Sequence, residues 1–477
     1  MSLIRSTKIA PGLFWVEVPN VGLKMMCGSP ADAIKHLTKA GLIWADQIQG
    51  AYFEQGPNAI LLSDLFAQKG QLANLTEFPL LHMLYKQGLL IPGHPNRDLP
   101  KPLLIGDPEQ LHCQKEYFFR GNCGITTLEE YEEFSVPLDQ AQEWIEIKQR
   151  FARGHFPKAD ELFECIEVGR KEVELKAGVH LVRVAVNRFE VSFGGETIEV
   201  DLNLGKGEIY SASYELPKNS LPQARFAVVH LGEGDGWDPS RPCHSSLILH
   251  QDKKYLIDAG PNIQRVLAAL GLRPEDLEGI ILTHVHDDHF AGIYNLASEK
   301  RGLKIYAAPP VFANLIHKFA ALLGISLNEA KGWFTHIWLV PLAWNDCDGL
   351  EVYPHPSPHP VDTTLFLLRV MGPEGYKTYG HLADITSLNW LRKMLTPDES
   401  GCKISPLLWD SLQELYARPL DVKKVDVGGP PIHGDAKDFI NDTSKRLILS
   451  HTSRPLTAEQ LQIGLQAQFG EVDLLIP

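Results

Sequence analysis

Residues 279–292 read GIILTHVHDDHFAG, and the second half of this stretch concentrates metal-ligating side chains. The apolar run GIIL predicts a short buried strand, and three histidines and two aspartates follow it within residues 284–289. Imidazole nitrogens and carboxylate oxygens are good ligands for zinc, iron and manganese. Because such clusters at strand ends are typical of functional sites, the stretch predicts a metal site and not a polar loop with coincidental histidines.

The spacing of these ligands leaves room for two ions. Where the chain leaves the strand in an extended turn, His284 and His286 point the same way and can share one ion. Asp288 and His289 then face a neighbouring position, where a second ion can bind.

The motif also resembles a known family. HVHDDH (284–289) resembles the H-x-H-x-D-H signature of the metallo-β-lactamase superfamily, and KKYLIDAG (253–260) resembles the strand that precedes this signature. The resemblance covers about residues 225–477 and implies an α/β fold with the αββα sandwich of that superfamily. It also implies that Asp258 is a structural acid that supports the metal loop, and not a ligand.

The family pattern implies further ligands downstream, in the order His, Asp, His. The segment EVYPHPSPHPVDTTLFLLRV (351–370) offers two histidines for the first of them. His359 is the expected ligand because it directly precedes the next strand, and His355 is the alternative.

The last two ligands come from separate segments. KTYGHLADITSL (377–388) resembles the family segment whose Asp bridges two metals, which maps to Asp384, although Ala383 stands where the family usually has Gly. KRLILSHTSRPL (445–456) resembles the terminal strand that ends in a metal histidine, which maps to His451.

The resemblance therefore implies a centre of two divalent ions. The expected ligand sets are His284, His286 and His359 for one ion, and Asp288, His289 and His451 for the other, with Asp384 between them. Zinc is the expected metal, and manganese and iron are the alternatives. Two aspartates and a bridging hydroxide would not neutralise both ions fully, so the centre stays cationic and favours anionic groups.

Three segments indicate the branch of the superfamily. HLGEGDGWDPSRPCHSSLILH (230–250), with its Gly232–Gly236 loop, resembles the opening segment of the ribonuclease Z and phosphodiesterase branch. SPHPVDT (357–363) lacks the G-H-S/T-P-G pattern that is common in the glyoxalase-like and lactonase-like branches. VDVGGPPIHGDAKDF (425–439) occupies the place where the ribonuclease Z-like branch has a histidine beside the scissile phosphate.

His433 is the counterpart of that histidine by the same resemblance. It could hydrogen-bond a phosphoryl oxygen or protonate the leaving group, and Asp435 is expected to orient its imidazole. The alternative is a structural His433 that only caps its loop. The expected catalytic residues are thus Asp288, His433 and Asp435.

The charge balance argues against long nucleic acids as substrates. The formal net charge is −14, whereas phosphate-rich partners are bound by Lys and Arg side chains that displace counterions. A small anionic substrate fits better, because a local metal centre can outweigh the global charge. The seven cysteines include no CxxC pair, and no apolar run reaches the length of a signal peptide or a membrane-spanning helix. We therefore expect a cytoplasmic protein that binds no membrane, and a homodimer is left open.

The sequence divides into three expected parts. Residues 1–165 are expected to form a mixed α/β domain of unknown role, in which no glycine loop, zinc ribbon or repeat is evident. Residues 166–221 alternate apolar and polar side chains and are expected to form a β-rich connecting segment, or part of the sandwich. Residues 222–477 are the expected catalytic domain.

These features predict a binuclear phosphodiesterase that hydrolyses a small phosphodiester, such as a cyclic nucleotide, through a metal-bound hydroxide. The first alternative is a lactonase, thioesterase or β-lactamase-like hydrolase of the same fold. The second is an iron-dependent oxidoreductase, since the same ligands hold iron. A binding or scaffold protein with a silent metal site is disfavoured, because every expected ligand is present.

Overall fold

The computed structural model of the protein describes residues 2–399 and 401–477, which form two compact units. The first unit consists of Met1–Phe119, Pro157–Ser213 and Ala321–Gly324. The second unit consists of Arg120–Phe156, Tyr214–Ala320 and Ile325–Pro477. Neither unit is therefore one continuous stretch of chain.

These units differ from the expected division of the chain in two places. The segment 120–156, which the sequence assigns to the N-terminal domain, is part of the second unit, where Ile147 joins an apolar core. Most of the β-rich segment, up to Ser213, belongs to the first unit and shares its apolar core. A sequence pattern reveals that a face is apolar, but not which partner covers it.

The first unit contains a six-stranded and a four-stranded sheet. Up to residue 201 the elements of the chain are β1 (Arg5–Ala10), β2 (Leu13–Val18), β3 (Leu23–Cys27), α1 (Ala33–Lys39), β4 (Trp44–Ile48), β5 (Ala51–Gln55), β6 (Ala59–Leu61), β7 (Ala67–Gln68), β8 (Gln71–Leu72), α2 (Glu77–Leu81), β9 (Leu103–Gly106), α3 (Pro108–Cys123), α4 (Leu128–Glu132), α5 (Leu138–Phe151), α6 (Ala159–Leu162), β10 (Glu164–Glu167), β11 (Val173–Lys176), β12 (Val179–Ala185), β13 (Arg188–Phe193) and β14 (Glu196–Asp201). The sheet orders are β1-β2-β3-β6-β9-β10 and β11-β12-β13-β14, and helices α4 and α5 lie in the second unit.

The second unit contains a seven-stranded and a six-stranded sheet. Its remaining elements are β15 (Phe226–Gly232), β16 (Ser245–His250), β17 (Lys253–Ile257), α7 (Ile263–Ala269), β18 (Gly279–Ile281), α8 (Asp287–Phe290), α9 (Ile293–Glu299), β19 (Leu303–Ala307), α10 (Pro309–Leu323), α11 (Leu327–Lys331), β20 (Phe334–Trp338), β21 (Asn345–Cys347), β22 (Leu350–Ser357), β23 (Thr363–Gly372), β24 (Gly375–Leu382), α12 (Leu388–Met394), α13 (Pro406–Ala417), β25 (Val422–Asp426), β26 (Arg446–Ser450) and β27 (Val472–Ile476). The sheet orders are β20-β19-β18-β17-β16-β15-β27 and β21-β22-β23-β24-β25-β26.

The expected α/β sandwich is confirmed in the second unit. Apolar side chains of both sheets, such as Val228 and Ile248 from the first and Val352 and Phe366 from the second, form one core. On the outer face of the second sheet, α12 and α13 pack against a second core. Strands β15 and β16 are buried along their whole length, which fits the apolar runs FAVV and LIL in their sequences.

The first sheets of the two units share one plan. In each, an antiparallel meander is followed by three parallel strands: β1, β2 and β3 precede β6, β9 and β10, while β15, β16 and β17 precede β18, β19 and β20. In both meanders the pairing of the first strand with the second has a register shift. It lies between Lys8 and Ala10 in the first unit and between His230 and Gly232 in the second.

The first helix after each meander repeats as well. Helices α1 and α7 are both seven residues long, and each begins after a residue with φ 60° and ψ 20°, Asp32 and Asn262 respectively. Each helix is followed by a glycine with φ 72°, at Gly41 and Gly271. The sequence analysis found no repeat in the N-terminal region, whereas the structure shows that this region repeats a part of the second unit.

The second sheets of the two units agree only in part. Strands β11 to β14 form an antiparallel meander, as β21 to β24 do. In the second unit two parallel strands, β25 and β26, extend this meander, and the four-stranded sheet of the first unit has no such extension within the described residues.

Two further observations concern the helices. Pro79 lies inside α2 without ending it, and the helical backbone continues through a π-helical turn at His82–Lys86. Within the described residues, no helix combines the length and hydrophobicity that crossing a membrane requires.

Candidate metal centre

The first group of ligands lies at the ends of three strands. His284 and His286 follow β18, His359 follows β22, and Asp384 follows β24. His286 Nδ1 lies 3.1 Å from both His284 Nε2 and His359 Nε2. Asp384 Oδ2 lies 3.5 Å from His284 Nε2 and 3.4 Å from His359 Nε2, so these four side chains converge on one point.

The second group lies beside the first. His451 Nε2 is 3.1 Å from Asp288 Oδ2 and 3.3 Å from His289 Nε2. The other carboxylate oxygen of Asp384, Oδ1, lies 3.1 Å from His289 Nε2 and 3.3 Å from His451 Nε2. Asp384 therefore presents one oxygen to each group, an arrangement that would allow its carboxylate to lie between two ions.

Asp258 contacts the second group through His289, on the ring nitrogen that faces away from the other ligands. Its Oδ2 lies 2.8 Å from Nδ1 of His289 and accepts a hydrogen bond from the Thr283 hydroxyl at 2.7 Å, while its Oδ1 accepts from the backbone N–H of Thr283 at 2.8 Å. A carboxylate on Nδ1 fixes the ring and leaves Nε2 for a metal. This arrangement agrees with the structural role that the family resemblance implies for Asp258.

Three residues of the centre have a left-handed backbone. Asp258, Asp384 and His451 have φ values of 60°, 49° and 59°. Each follows a strand directly or by one residue, so the left-handed conformation turns the chain where the side chain enters the site.

The two histidines proposed for the third ligand differ in position. His359 lies in the first group, whereas Nδ1 of His355 lies 2.7 Å from the carbonyl oxygen of Pro356, and His355 belongs to none of the ligand groups found in the described residues. The geometry thus favours His359.

His433 lies beside both groups, but its partner differs from the one expected. Its Nδ1 is 3.0 Å from Oδ2 of Asp426, while Asp435 accepts a hydrogen bond from the backbone N–H of Lys437 and caps a short helix. The expectation that Asp435 orients His433 is therefore wrong, because the Asp435 carboxylate is used locally.

Asp426 is the residue that the sequence analysis missed. It ends β25, and its neighbour across the parallel pair β25–β26 is Ser450, the residue before His451. Its Oδ1 lies 3.4 Å from His451 Nδ1, so Asp426 contacts both His433 and His451. The usable signal was its place in the segment VDVGGPPIHGDAKDF, which also carries His433.

Burial and charge divide the imidazoles into two kinds. Burial holds the pKa of His286 and of His359 well below the usual value, so both rings are neutral and offer lone pairs. Burial also acts to lower the pKa of His289 and His451, but neighbouring carboxylates, Asp384 among them, raise the pKa of both well above the usual value. A cation is thus favoured at the second group.

The donor set fits divalent cations. Asp384 Oδ1 is buried and has no hydrogen-bond partner, although it faces the Nε2 atoms of His289 and His451. Neutral imidazoles and carboxylates are the donors that zinc, manganese and iron prefer. A buried carboxylate shared by two nitrogen-rich groups is better explained by bound metal than by hydrogen bonding alone.

Comparisons with known proteins agree with this geometry. Residues 239–369 match the sequence model of the metallo-beta-lactamase superfamily. A cGMP-dependent 3',5'-cGMP phosphodiesterase A of Dictyostelium discoideum is 24% identical over 109 residues, which are 23% of this chain and 13% of the relative. A ribonuclease Z of Mycobacterium marinum is 26% identical over 148 residues, or 27% of this chain and 52% of the relative.

Each matched segment thus spans no more than about half the length of these relatives. Among solved structures, the metallo-beta-lactamase fold protein YhfI of Bacillus subtilis aligns with a TM-score of 0.39 and 16% identity, covering 52% of this chain and 98% of that protein. The sequence match lies in the sandwich and includes the motif at residues 284–289. Residues 239–369 of this chain are therefore similar to the metallo-beta-lactamase superfamily.

Proposed function

We propose that the second unit is a metal-dependent hydrolase whose binuclear centre cleaves a small phosphodiester. The observation that carries this proposal is the position of Asp384, with one oxygen toward each ligand group and His433 beside both. Two zinc ions held there would activate a water molecule and stabilise the negative charge of the transition state.

His433 is the proposed proton donor. Burial acts to lower its pKa, but Asp426 outweighs this effect and the pKa of His433 is raised above its usual value. The imidazolium donates its Nδ1–H to Asp426 and presents its Nε2–H to an anionic oxygen. Its ring centre is 6.0 Å from that of His359 and 4.8 Å from that of His451, so one substrate group can meet His433 and both ligand groups.

The remaining residues of the centre hold these groups in place. Asp258 orients His289 through Nδ1, and Asp426 connects His433 to His451. Only His286 and His433 are partly exposed, so the other ligands are shielded from water, which strengthens their electrostatic interactions.

The choice of a phosphodiester rests on the branch of the family. A cyclic-nucleotide phosphodiesterase and a ribonuclease Z are both among the relatives, and both names describe phosphodiester cleavage. The net charge of −14 favours the smaller substrate, because long nucleic acids need a basic surface.

The test is metal analysis followed by a substrate panel. We expect two zinc ions per chain and hydrolysis of bis-(p-nitrophenyl) phosphate or of 3',5'-cyclic nucleotides. Asp288→Ala is the inactive control. Opening of lactones, thioesters or β-lactams with no phosphodiester cleavage would assign another hydrolase branch. Oxygen uptake by an iron-loaded protein would assign an oxidoreductase, and cleavage of structured RNA alone would contradict the small substrate.

A further inference from the structure

Two carboxylates in the ligand loops are not ligands. Asp287 stands between His286 and Asp288, and Asp362 follows His359 by three residues. Both side chains are buried, and neither belongs to a ligand group. Each forms an ion pair with a fully buried lysine that lies on a helix of the same unit.

Lys318 of α10 holds the first loop. Its Nζ lies 2.8 Å from Asp287 Oδ1 and donates to the carbonyl oxygen of Val285 at 2.6 Å. It also lies 4.8 Å from the centre of the Phe290 ring. One ammonium group therefore contacts three residues of the loop that carries His284, His286, Asp288 and His289.

Lys148 of α5 holds the loop of His359. Its Nζ lies 2.8 Å from Asp362 Oδ2 and 2.7 Å from the hydroxyl of Tyr131, which itself donates to Asp362 Oδ1. Asn314 of α10 donates to Asp362 Oδ2 at 2.6 Å. Asp362 is thus held by three side chains, all of them buried.

One helix face connects the two loops. Asn314 and Lys318 are four residues apart in α10, so they lie on the same side of that helix. One contacts the loop of His359 and the other contacts the loop of His284 and His286. The ligands of the first group come from just these two loops and from Asp384.

We propose that Lys148 and Lys318 are positioning residues that fix the two ligand loops in the spacing that the first metal ion requires. Buried ion pairs add little stability compared with apolar side chains of similar size, but they hold a defined geometry. Metal sites depend on such geometry, and loss of groups that orient the ligands weakens metal binding by about 10- to 100-fold. The inference rests on the proposed metal centre and not on its substrate.

The experiment compares Lys148→Met and Lys318→Met with a matched control. Lys423 is also fully buried, pairs with Asp442 and donates to the carbonyl oxygen of Tyr416 at 2.8 Å, but it touches no ligand loop. Zinc affinity is measured by chelator competition, the site geometry by the visible spectrum of the cobalt form, and folding by thermal denaturation.

We expect both test variants to bind the first ion at least about 10-fold more weakly and to change the cobalt spectrum. Lys423→Met should lose stability but keep the affinity and the spectrum of the native protein. Asn314→Ala, which removes one neutral hydrogen bond to Asp362, is a milder variant that should fold and show a smaller loss of affinity.

A double variant separates positioning from stability. Lys148→Met with Asp362→Asn leaves no unpaired buried charge, so it should regain stability without regaining affinity. Recovery of both, or native affinity in all single variants, would overturn the inference. A native protein that binds no metal would overturn the metal centre and the inference together. A native protein that binds two ions but cleaves no tested substrate would contradict the proposed function alone, since the comparison of affinities needs no substrate.

Discussion

The first sheets of the two units share one strand arrangement, but the side chains at equivalent strand ends differ in chemical type. In the first unit Gly28 follows β3 and donates to the carbonyl oxygen of Leu61 at 2.8 Å. In the second unit Asp258 follows β17 and donates to Ile281 at 3.1 Å in the equivalent way. The register of the parallel strands continues this match, so that Asp64 occupies the position of His284.

The first unit closes this position with an ion pair. Asp64 Oδ2 accepts from Nε of Arg183 at 2.8 Å and from the backbone N–H of Asn187. Ser63 donates to the side chain of Asn187 at 2.9 Å. The guanidinium of Arg183 thus neutralises the charge of Asp64, whereas at the equivalent position of the second unit His284 lies among other imidazoles. The comparison teaches that the sheet plan supplies positions for ligands but does not itself require a metal.

The sharpest way to break the comparison is to remove one carboxylate from each unit. Asp288→Ala should lower kcat by roughly 10³-fold or more, because a metal centre contributes several kcal/mol to transition-state stabilisation. Asp64→Ala should leave kcat unchanged, since Asp64 pairs with Arg183 and belongs to none of the ligand groups among the described residues. Steady-state kinetics of both variants under folded conditions test this, and a large loss in Asp64→Ala would contradict the assignment of chemistry to the second unit.

The next largest effect on kcat is expected for residues at and after the end of β25. Within the described residues, the four-stranded sheet of the first unit has no counterpart of this strand or of β26. His433→Gln should lower kcat by about 10²-fold, as expected for loss of a general acid. Asp426→Asn removes the carboxylate that raises the pKa of His433. His433 then loses its proton at a lower pH, so the alkaline limb of the pH profile of kcat shifts to lower pH. A pH profile of kcat for each variant tests this. An unchanged alkaline limb in Asp426→Asn would contradict the role of His433 as the donor.

Metal removal should affect stability through the second unit alone. Zinc at about 100 times its Kd should stabilise the protein by about 2.7 kcal/mol for each site, because the ligands are brought together only in the folded state. The variant Asp288→Ala with His451→Ala should lose most of this stabilisation, and Asp64→Ala should keep it. Calorimetry with and without a chelator measures the difference, and zinc stabilisation that depends on Asp64 would indicate a metal in the first unit.

The smallest effect concerns the pH dependence of the first unit. Burial lowers the pKa of His82, although Glu54 lies 3.1 Å away. The unfolded chain therefore takes up the proton first, and stability falls as the pH drops below about 6.5, by at most ~1.4 kcal/mol per pH unit. Urea denaturation between pH 7.5 and 5.5 should show a flatter dependence in His82→Gln. An equal slope in both proteins would contradict a neutral buried His82.

Most residues of the candidate site could be predicted from the sequence, because they follow strands. HVHDDH and His451 could be placed because each follows an apolar strand, and Asp384 could be placed from family resemblance alone. Asp426 was missed because its importance comes from its contacts with His433 and His451. The pairing that brings it beside His451 joins Asp426 with Ser450, which lies 24 residues further along the chain.

The N-terminal unit was harder to interpret for a related reason. The repeat preserves backbone shape and strand register, while the side chains at its key positions differ, as Gly28 and Asp258 or Asp64 and His284 do. Register and capping geometry are tertiary properties, so a reading of residue types alone does not detect them.

The left-handed backbone of Asp258, Asp384 and His451 has a consequence for how such a centre can arise and disappear. Left-handed geometry costs a residue with a Cβ about 1–2 kcal/mol, and glycine escapes this cost. At the position of Asp258 the first unit has Gly28, with φ 81°. A copy of the fold that has no metal to hold is free to relax such positions to glycine, whereas a working copy keeps the strained residue. Gly28 of the first unit thus marks a position at which the second unit carries backbone strain, in Asp258.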